Sequence, residues 1–423
     1  MFYPLAILSA VAMAPFSMAA PAGSFTRTST SARSSPTVPY ASNNPNFPLW
    51  SPQADPKTAP APIRGPLGGK ILGPQNIPLQ MENPDALAAP STDAGNVPNF
   101  KWPFSLSHTS IWNGGWTRQQ NSVNMMLKPG AIREMHWHTN AEWAYMLKGD
   151  IRITTIGPEG DTYLGDVTEG DLWYFPPGHG HSIQALNTTE DGAEFLLVFD
   201  SGTFSEFNTF QLTDWLAHVP KEVIAKNFQM DISAFNHIPE HELYIFPSAP
   251  PAENPEDAMV VPNNSPMPYT WNFSKVNATQ LSGGSIKIAD TRTFKVSETI
   301  SVAEITVKPG AMRELHWHPT EAEWTYFISG NARVTSFAGQ ASAQTFDFQG
   351  GDISYIPPSF GHYIENTGNT TLRFLEIFKS GLVQDISLSQ WLALTPPSLV
   401  KAHLGVSYET ISKFSKTKPV VVG

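Results

Sequence analysis

The chain contains no cysteine, and this absence excludes several kinds of site at once. Without thiols there can be no disulfide, no cysteine nucleophile, no iron–sulfur cluster and no zinc site of the cysteine type. Any bound metal ion must therefore be held by histidine and carboxylate side chains. The 423-residue chain offers 12 histidines and 37 acidic residues for that purpose.

Charged residues are also scarce, at 15% of the chain, and the net charge is −11 at pH 7. No cluster of lysine and arginine offsets this acidic balance, so we expect neither a nucleic-acid partner nor a membrane partner. The 38 prolines disfavour long helices, because proline lacks a backbone donor and clashes inside a helix. The composition therefore favours a β-rich protein with many turns.

The first 96 residues are predicted to be a targeting signal followed by a linker. Residues 1–20 are apolar and small, are too short for a good membrane span, and end near the sequence SMA, which is typical of a secretory signal peptide. Residues 21–96 are rich in proline and serine without hydrophobic periodicity, which predicts a leader or an arm draped over a partner. Five Asn-x-Ser/Thr sequons agree with a secreted, extracellular protein: Asn187, Asn263, Asn272, Asn277 and Asn369.

The rest of the chain is an internal repeat. Residues 128–138 read KPGAIREMHWH, and residues 308–318 read KPGAMRELHWH. A second pair of blocks reads GDLWYFPPGHGH at 170–181 and GDISYIPPSFGH at 351–362, and a third reads LTDWLA at 212–217 and LSQWLA at 388–393. The first two pairs are offset by 180 and 181 residues, which indicates a duplicated domain over residues 97–250 and 265–423.

Each copy has the pattern of strands separated by tight turns. Residues 122–127 and 301–307 are alternating or apolar runs typical of strands, and Pro-Gly, Pro-Pro and Gly-Asp pairs punctuate the sequence. Thr213 with Asp214, and Ser389, mark the starts of short helices that close each copy. We therefore predict an all-β protein made of two β-barrel or jelly-roll domains with short helices.

Four side chains in each copy have the spacing of metal ligands. His136 and His138 stand two residues apart, so both imidazoles lie on one face of a strand. A turn returns the chain to Glu142, and His181 follows on another strand; the second copy repeats the set as His316, His318, Glu323 and His362. Buried structural histidines are the alternative, but half of the 12 histidines recur at ligand spacing. Such a set suits several divalent metals and selects none.

These motifs, each present twice, resemble the two motifs of the cupin family. The first consists of Gly130, His136, His138, Glu142 and Gly149, with counterparts from Gly310 to Gly330; the second runs from Gly170 to His181 and from Gly351 to His362. The resemblance covers about residues 100–423. It implies a bicupin, that is, a duplicated cupin fold.

Among bicupins the sequence resembles the oxalate decarboxylases. The shared features are REMHWH or RELHWH before the metal ligands, FLLVF at 195–199, FLEIF at 374–378 and FSE at 204–206. The resemblance implies conversion of oxalate to formate and CO2 with two Mn²⁺ sites and dioxygen. It implies that Arg133 polarises the substrate, that Glu206 is the general acid on a lid, and that Arg313 and Glu376 are the counterparts in the second copy.

The residues themselves support these roles unequally. Arg133 lies three positions before His136, so we expect it near the site but on the other face of the strand, and a salt bridge with Glu134 is its structural alternative. Glu376 lies in an apolar strand, where an ionised carboxylate must be paired or protonated. Glu206 on its own would be read as a solvated loop residue, and its role comes from the resemblance.

The implied chemistry is redox-neutral. Oxalate loses an electron transiently, Glu206 takes its proton, CO2 leaves, and the proton is returned to carbon, while lid closure excludes water and oxygen. Without that acid the implied product is peroxide, as in an oxalate oxidase. Phe207 stands where bacterial members have asparagine, which bears on the ratio of the two outcomes.

Several alternatives stay open at the level of sequence. A non-catalytic storage or sugar-binding bicupin, or a dioxygenase acting on a larger substrate, would share the fold. Either metal site could be the catalytic one, although the lid sequence with Glu206 favours the first. The resemblance also implies a homo-oligomer built on trimers, either a trimer or a hexamer.

Overall fold

The computed structural model describes residues 72–83, 89–90, 92–120, 122–204 and 209–423. The predicted signal peptide and most of the predicted leader lie outside these residues. So do Glu206 and Phe207 of the predicted lid.

Two halves of similar architecture make up the described chain, and each half pairs a seven-stranded sheet with a six-stranded sheet. Every strand pairing is antiparallel, as expected for sheets built from turns rather than crossover helices. The N-terminal half contains β2 His108–Trp112, β3 Gly115–Gln119, β4 Ser122–Leu127, β5 Ile132–Trp137, β6 Glu142–Lys148, β7 Ile151–Ile156, β8 Thr162–Val167, β9 Leu172–Phe175, β10 Gly180–Ala185, β11 Ala193–Phe199, β12 Phe210–Gln211 and β13 Ile245–Phe246, and it is preceded by β1 Lys101–Pro103.

The C-terminal half repeats this order of strands. It contains β14 Thr270–Trp271, β15 Thr279–Gln280, β16 Gly284–Ala289, β17 Ser301–Val307, β18 Met312–Trp317, β19 Glu323–Ser329, β20 Asn331–Gly339, β21 Ser342–Gln349, β22 Asp352–Ile356, β23 Gly361–Asn366, β24 Leu372–Phe378, β25 Ile386–Ser387 and β26 Val421–Val422. The prediction of a duplicated all-β fold is confirmed, including the strands β4 and β17 at the expected residues.

Short helices follow the last long strand of each half, as the sequence predicts. Helix α1 Ile77–Glu82 precedes the first strand, and the helices after the long strands are α2 Leu212–Ala217, α3 Lys221–Phe228, α4 Leu388–Leu394, α5 Pro397–Leu404 and α6 Tyr408–Ser412. Helix α4 is capped by Ser387, whose side chain accepts a hydrogen bond from the Gln390 amide. None of the helices in the described residues has the length and apolar character needed to cross a lipid bilayer.

One strand of each half pairs with a sheet of the other half. Strand β1 pairs with β22, and β14 pairs with β9. Val97 and Phe100 are buried in the core of the C-terminal half, although the sequence places residue 97 at the start of the N-terminal domain. A short apolar pair without periodicity does not reveal which of two similar sheets it will cover.

In each half the candidate site lies inside the barrel, next to the six-stranded sheet. In the N-terminal half the six-stranded sheet has the order β12-β5-β10-β7-β8, with β13 also pairing with β5. The C-terminal half has the order β21-β20-β23-β18-β25, with β26 pairing with β18. Gly130 and Gly310 precede β5 and β18 with φ of 78° and 76°, a left-handed conformation that only glycine adopts without strain.

Candidate metal centres

The first predicted ligand set comes together inside the N-terminal barrel. His136 lies on β5 and His138 just after it, Glu142 begins β6, and His181 lies on β10, directly opposite His136. One ligand atom from each of the four side chains lies within 4.8 Å of the others. Nε2 of His138 and of His181 lie 3.3 and 3.6 Å from Oε2 of Glu142.

The second predicted set forms in the same way inside the C-terminal barrel. His316 and His318 come from β18 and its end, Glu323 begins β19, and His362 lies on β23 opposite His316. These four side chains also bring one ligand atom each to within 4.8 Å of the others. Oε2 of Glu323 lies 2.9 Å from Nε2 of His318 and 3.0 Å from Nε2 of His362.

The backbone determines which ring nitrogen of each histidine faces inward. In all six rings Nδ1 lies 2.6–2.9 Å from a backbone carbonyl oxygen, which can only accept, so Nδ1 donates and a neutral ring keeps its lone pair on Nε2. These contacts join His136 to Glu134, His138 to Asn140, His181 to His179, His316 to Glu314, His318 to Gln384 and His362 to Phe360. Such outer hydrogen bonds orient imidazoles for metal binding.

The buried ligand atoms fit a divalent cation. Nε2 of His181 and of His316 and Oε1 of Glu142 are buried without a hydrogen-bond partner among the described residues. A lone pair on Nε2 cannot donate to a carboxylate, so the contacts with Glu142 require a shared proton or a cation between the atoms. Three nitrogens and one carboxylate oxygen match the ligands that many divalent transition metals accept.

Electrostatics keep the first set ready for a cation. Burial, together with the charge of Arg133, lowers the pKa of His136 well below its usual value. Burial also lowers the pKa of His181. Burial alone would raise the pKa of Glu142, but its contacts with His138 and His181 lower it, so the carboxylate is ionised.

Arg133 lies on the same side of β5 as His136, and the expectation that it faces the other side is wrong. His136 pairs with His181 while Arg133 pairs with Ile183, so the two residues Glu134 and Met135 of β5 lie opposite the single residue Ser182 of β10. The extra residue is a β-bulge, which resets the alternation of side chains and turns Arg133 inward. The same irregularity lies between Arg313 and His316.

Glu134 is not the salt-bridge partner of Arg133. Its carboxylate instead accepts hydrogen bonds from the backbone amides of Thr213, Leu243 and Tyr244, at 2.6–2.9 Å. Tyr244 has a φ of 54°, a conformation that costs a non-glycine residue free energy unless its surroundings hold it. Glu134 therefore fastens a strained segment beside the site, a role that its sequence position did not reveal.

Arg133 is 3% exposed, and no carboxylate among the described residues forms an ion pair with it. Nη1 donates to Oε1 of Gln211 at 2.7 Å and to the carbonyl oxygen of Tyr244 at 3.2 Å, and the guanidinium lies 3.9 Å from the centre of the Tyr244 ring. A cavity of about 20 Å³ borders Arg133, three of the ligands, and the side chains of Leu197 and Thr209. A buried positive charge thus lies beside the metal ligands at a small cavity.

Arg313 has a different environment, although it occupies the equivalent position. Its Nε lies 3.1 Å from Oε1 of Glu376, and its Nη2 lies 2.5 Å from Oδ2 of Asp385. Burial raises the pKa of Glu376. Burial would also raise the pKa of Asp385, but the charge of Arg313 lowers it, and Lys418 pairs with the same carboxylate.

Register identifies the residues that create this difference. Leu197 pairs with Ala144 as Glu376 pairs with Thr325, and Thr209 precedes β12 as Asp385 precedes β25. Asp385, Thr209 and Gln211 were not among the predicted site residues. They immediately precede the third repeated block, so an extension of that repeat by three residues would have aligned them.

The predicted lid acid, Glu206, lies outside the described residues. The described residues on either side of its segment, Phe204 and Thr209, both line the cavity beside Arg133. The ring of Phe204 stacks on Phe199 with centroids 3.4 Å apart and meets the edge of His138 at 5.6 Å. The two described residues that flank the segment with Glu206 therefore lie at the wall of the first site.

Comparisons with known proteins agree with this architecture. The family model described as Cupin matches residues 113–234 and 272–412. The chain is 50% identical over 375 residues to the oxalate decarboxylase of Bacillus subtilis (strain 168), covering 86% of this chain and 97% of that protein. It is 42% identical over 373 residues to a probable oxalate decarboxylase of Arthroderma benhamiae, covering 84% of this chain and 91% of that protein.

Solved structures give the same result. A structure of the Bacillus subtilis oxalate decarboxylase at pH 4.6 superposes with a TM-score of 0.83 and 50% identity, covering 86% of this chain and 98% of that one. Another structure of that bacterial enzyme, with a TM-score of 0.83 and 49% identity, concerns its Mn(II) centres. Fold, paired ligand sets and sequence identity over most of the chain lead to one conclusion: the chain belongs to the cupin family and, within it, to the bicupin oxalate decarboxylases, which are carboxy-lyases.

Proposed function

We propose that this chain is a manganese-dependent oxalate decarboxylase whose N-terminal metal site, with Arg133, binds and cleaves oxalate. The observation that carries the proposal is the buried guanidinium of Arg133, which has no carboxylate partner among the described residues and lies beside a complete ligand set. A small carboxylate anion would supply the missing negative charge.

His136, His138, Glu142 and His181 would hold Mn²⁺ in the first site, and His316, His318, Glu323 and His362 would hold it in the second. The donor sets fit this metal, and the Mn(II) centres of the bacterial relative agree with it. When bound, manganese supplies a Lewis acid and a one-electron redox partner, with dioxygen as the second cofactor.

Arg133 orients the substrate and polarises one of its carboxylates. A guanidinium is always charged and presents its donors in a planar fork that matches the two oxygens of a carboxylate. Its Nε and Nη2 make no hydrogen bond to the residues that the structure describes, so these donors are free for an anion. Enclosure strengthens the interaction because little water screens it.

Glu206 would take the proton from hydrogen oxalate and return it to carbon after the C–C bond breaks. One hydrogen oxalate then gives one formate and one CO2, with no net change of oxidation state. The positions of Phe204 and Thr209 on the cavity wall support this role, because they bound the four-residue segment that carries Glu206.

The second site would bind metal but not oxalate. Arg313 is already neutralised by Glu376 and Asp385, so an incoming oxalate anion would have to displace two carboxylates. Glu376, predicted as a catalytic counterpart, has a pairing role in this proposal.

The assay of formate against hydrogen peroxide tests the function. With oxalate, Mn²⁺ and air at acidic pH, the parent should release mainly formate, and a Glu206→Gln variant should lose formate and gain peroxide relative to it. Peroxide as the main product of the parent would make the protein an oxalate oxidase. Full decarboxylation by Glu206→Ala would contradict the acid role and favour a dioxygenase-like site.

A protein that contains no metal and does not turn over oxalate would be a binding or storage bicupin instead. Metal analysis of the purified protein separates these outcomes. We expect two equivalents of manganese in each chain, one for each ligand set.

We further propose that the chain is a homo-oligomer. Several large apolar side chains are exposed on the helices or directly after them, including Phe228, Met230 and Leu394. An apolar groove on the six-stranded sheet of the N-terminal half is lined by Met135 and Val260, among others. Exposed apolar surface of this kind is typical of subunit contacts, and light scattering during size exclusion would measure the state.

Secretion and glycosylation are also proposed. The apolar residues 1–20 support a cleaved signal, which N-terminal sequencing of protein from the culture medium would test. Asn263 is a poor acceptor of glycan, because its side chain hydrogen bonds to both backbone groups of Leu164 at 2.8 and 2.9 Å. Asn187, Asn277 and Asn369 are exposed, and mass spectrometry of glycopeptides should favour these over Asn263.

A further inference from the structure

A buried amide connects Arg133 to the protein surface. Gln211 is 4% exposed, and its side chain lies between Nη1 of Arg133, at 2.7 Å from Oε1, and Oε2 of Glu242, at 3.0 Å from Nε2. Arginine can only donate and a carboxylate accepts, so the two contacts determine which way the amide points. The exposed carboxylate of Glu242 therefore orients the Gln211 amide, and that amide in turn contacts the guanidinium of Arg133.

The position of Gln211 in the sheet is equivalent to that of Ser387. Gln211 pairs with His136 on β5, and Ser387 pairs with His316 on β18. The hydroxyl of Ser387 donates to Oε2 of Glu314 at 2.5 Å, and no hydrogen bond joins it to Arg313 in the described chain. Gln211 thus contacts Arg133 in the half where no described carboxylate contacts the arginine. Ser387 makes no such contact with Arg313, which two carboxylates hold.

A neutral amide suits an arginine that must bind an anion. It satisfies one guanidinium nitrogen and fixes the direction of the others without cancelling the positive charge, whereas the carboxylates around Arg313 cancel it. Tyr244 adds a carbonyl contact at 3.2 Å to the same nitrogen, so the protein holds Arg133 from one side. Nε and Nη2 make no hydrogen bond to the described residues.

We propose that Gln211, oriented by Glu242, is a positioning residue that holds the guanidinium of Arg133 in the geometry that binds oxalate, without cancelling its positive charge. This inference rests on the proposed function, because it concerns the same site and substrate. It predicts that the charge and the hydrogen bonding of residue 211 determine the affinity for oxalate, while metal content does not depend on them.

The test compares Gln211→Glu and Gln211→Met with the parent. Gln211→Glu keeps the size of the side chain but places a negative charge against Arg133, as Asp385 does against Arg313. The KM for oxalate should rise by about tenfold or more, because a charge-assisted hydrogen bond competes with the substrate. Gln211→Met removes the acceptor at similar volume, and kcat/KM should fall by about tenfold.

Two further measurements separate positioning from a purely structural role. The rise in Tm that saturating oxalate produces should shrink in both variants, while manganese content stays at the parental value. Glu242→Ala changes an exposed residue, so the Tm without oxalate should be unchanged, and the KM should rise by about threefold as the amide loses its orientation. Ser387→Ala, at the equivalent position in the other half, should leave the KM unchanged.

The outcomes are distinguishable. If the parent neither turns over oxalate nor gains Tm from it, the proposed function fails. If the parent does both, and Gln211→Glu and Glu242→Ala retain its KM and its oxalate-dependent rise in Tm, the function stands and the positioning role is refuted. If Gln211→Met does not fold, the exposed Glu242→Ala variant decides the question alone.

Discussion

The two metal sites have the same ligands but differ in the charge around the arginine next to them. Arg133 contacts an amide, a carbonyl and an aromatic ring, and Arg313 contacts two carboxylates. Each arginine reaches its site through the same bulge, so geometry alone does not separate the two. The comparison teaches that two duplicated sites can share one set of metal ligands and differ, at two positions, in the charge next to the arginine.

The carboxylate ligands show a smaller difference of the same kind. Oε1 of Glu142 is buried without a hydrogen-bond partner in the described residues, whereas Oε1 of Glu323 accepts a hydrogen bond from the hydroxyl of Thr325. Ala144 stands where the second half has Thr325. The second carboxylate therefore has a hydrogen bond on Oε1 that the first one lacks.

Removing a ligand from each site should produce the largest contrast. His138→Ala should lower kcat/KM for oxalate by more than about 100-fold, since even an outer-shell partner of a metal ligand can cost that much. His318→Ala should remove one equivalent of manganese while the first site keeps its metal. Metal analysis and the formate assay on both variants test this, and equal losses of activity would make the second site catalytic or show that the halves fold together.

Placing a carboxylate beside Arg133, as in the second site, should have the next largest effect on kcat/KM. Leu197→Glu places a carboxylate where Glu376 lies in the other half, and it should lower kcat/KM by about 100-fold, because oxalate must displace a charge-assisted hydrogen bond. The matched control is Leu197→Gln, of equal size and no charge, which should lose less. Similar losses in the two variants would assign the effect to packing rather than charge.

The reverse exchange should give the second site an affinity for oxalate. Glu376→Leu combined with Asp385→Thr removes both carboxylate partners of Arg313. Arg313 would then resemble Arg133, which has no carboxylate partner among the described residues. Titration calorimetry should then find two equivalents of oxalate per chain in place of one. Asp385→Thr alone retains Glu376 and should still bind one equivalent, and a parent that already binds two would contradict the comparison.

The smallest predicted effect concerns stability and pH. The pKa of Asp385 is lowered in the folded chain, so its stabilising contribution is present above its ordinary pKa of 3.8 and is lost as the pH falls through the folded pKa. Asp385→Asn should therefore lower the free energy of unfolding by about 2 kcal/mol at pH 7. The difference from the parent should shrink at pH 3, and thermal unfolding at both pH values measures it.

The strands and the ligand sets could be predicted because their signals are local or repeated. Alternation identified residues 122–127 and 301–307 as strands, and the spacing of His136, His138 and Glu142 recurs at an offset of about 180 residues. Antiparallel strands that begin and end at tight turns place such residues on facing walls of a barrel. Because the same spacing of ligands occurs in both copies, it is not explained by chance.

The orientation of Arg133 and the pairing of Arg313 could not be predicted in that way. A bulge arises where one strand has an extra residue relative to its partner, which the sequence of a single strand does not show. Counting residues from His136 therefore put Arg133 on the wrong face. Asp385 is 72 positions from Arg313 in sequence and reaches it only after β25 pairs with β18. The burial of Val97 and Phe100 in the opposite half depended likewise on contacts between distant segments.

The sequence by itself determined the duplication, the β architecture, the ligand identity and, through resemblance, the family. Those features depend on residue type and spacing, which a linear chain records directly. Only the tertiary structure decided which arginine is neutralised and which is held by an amide. That distinction arises from side chains far apart in sequence that meet inside a barrel, where little water screens their charges and a single carboxylate changes what the site can bind.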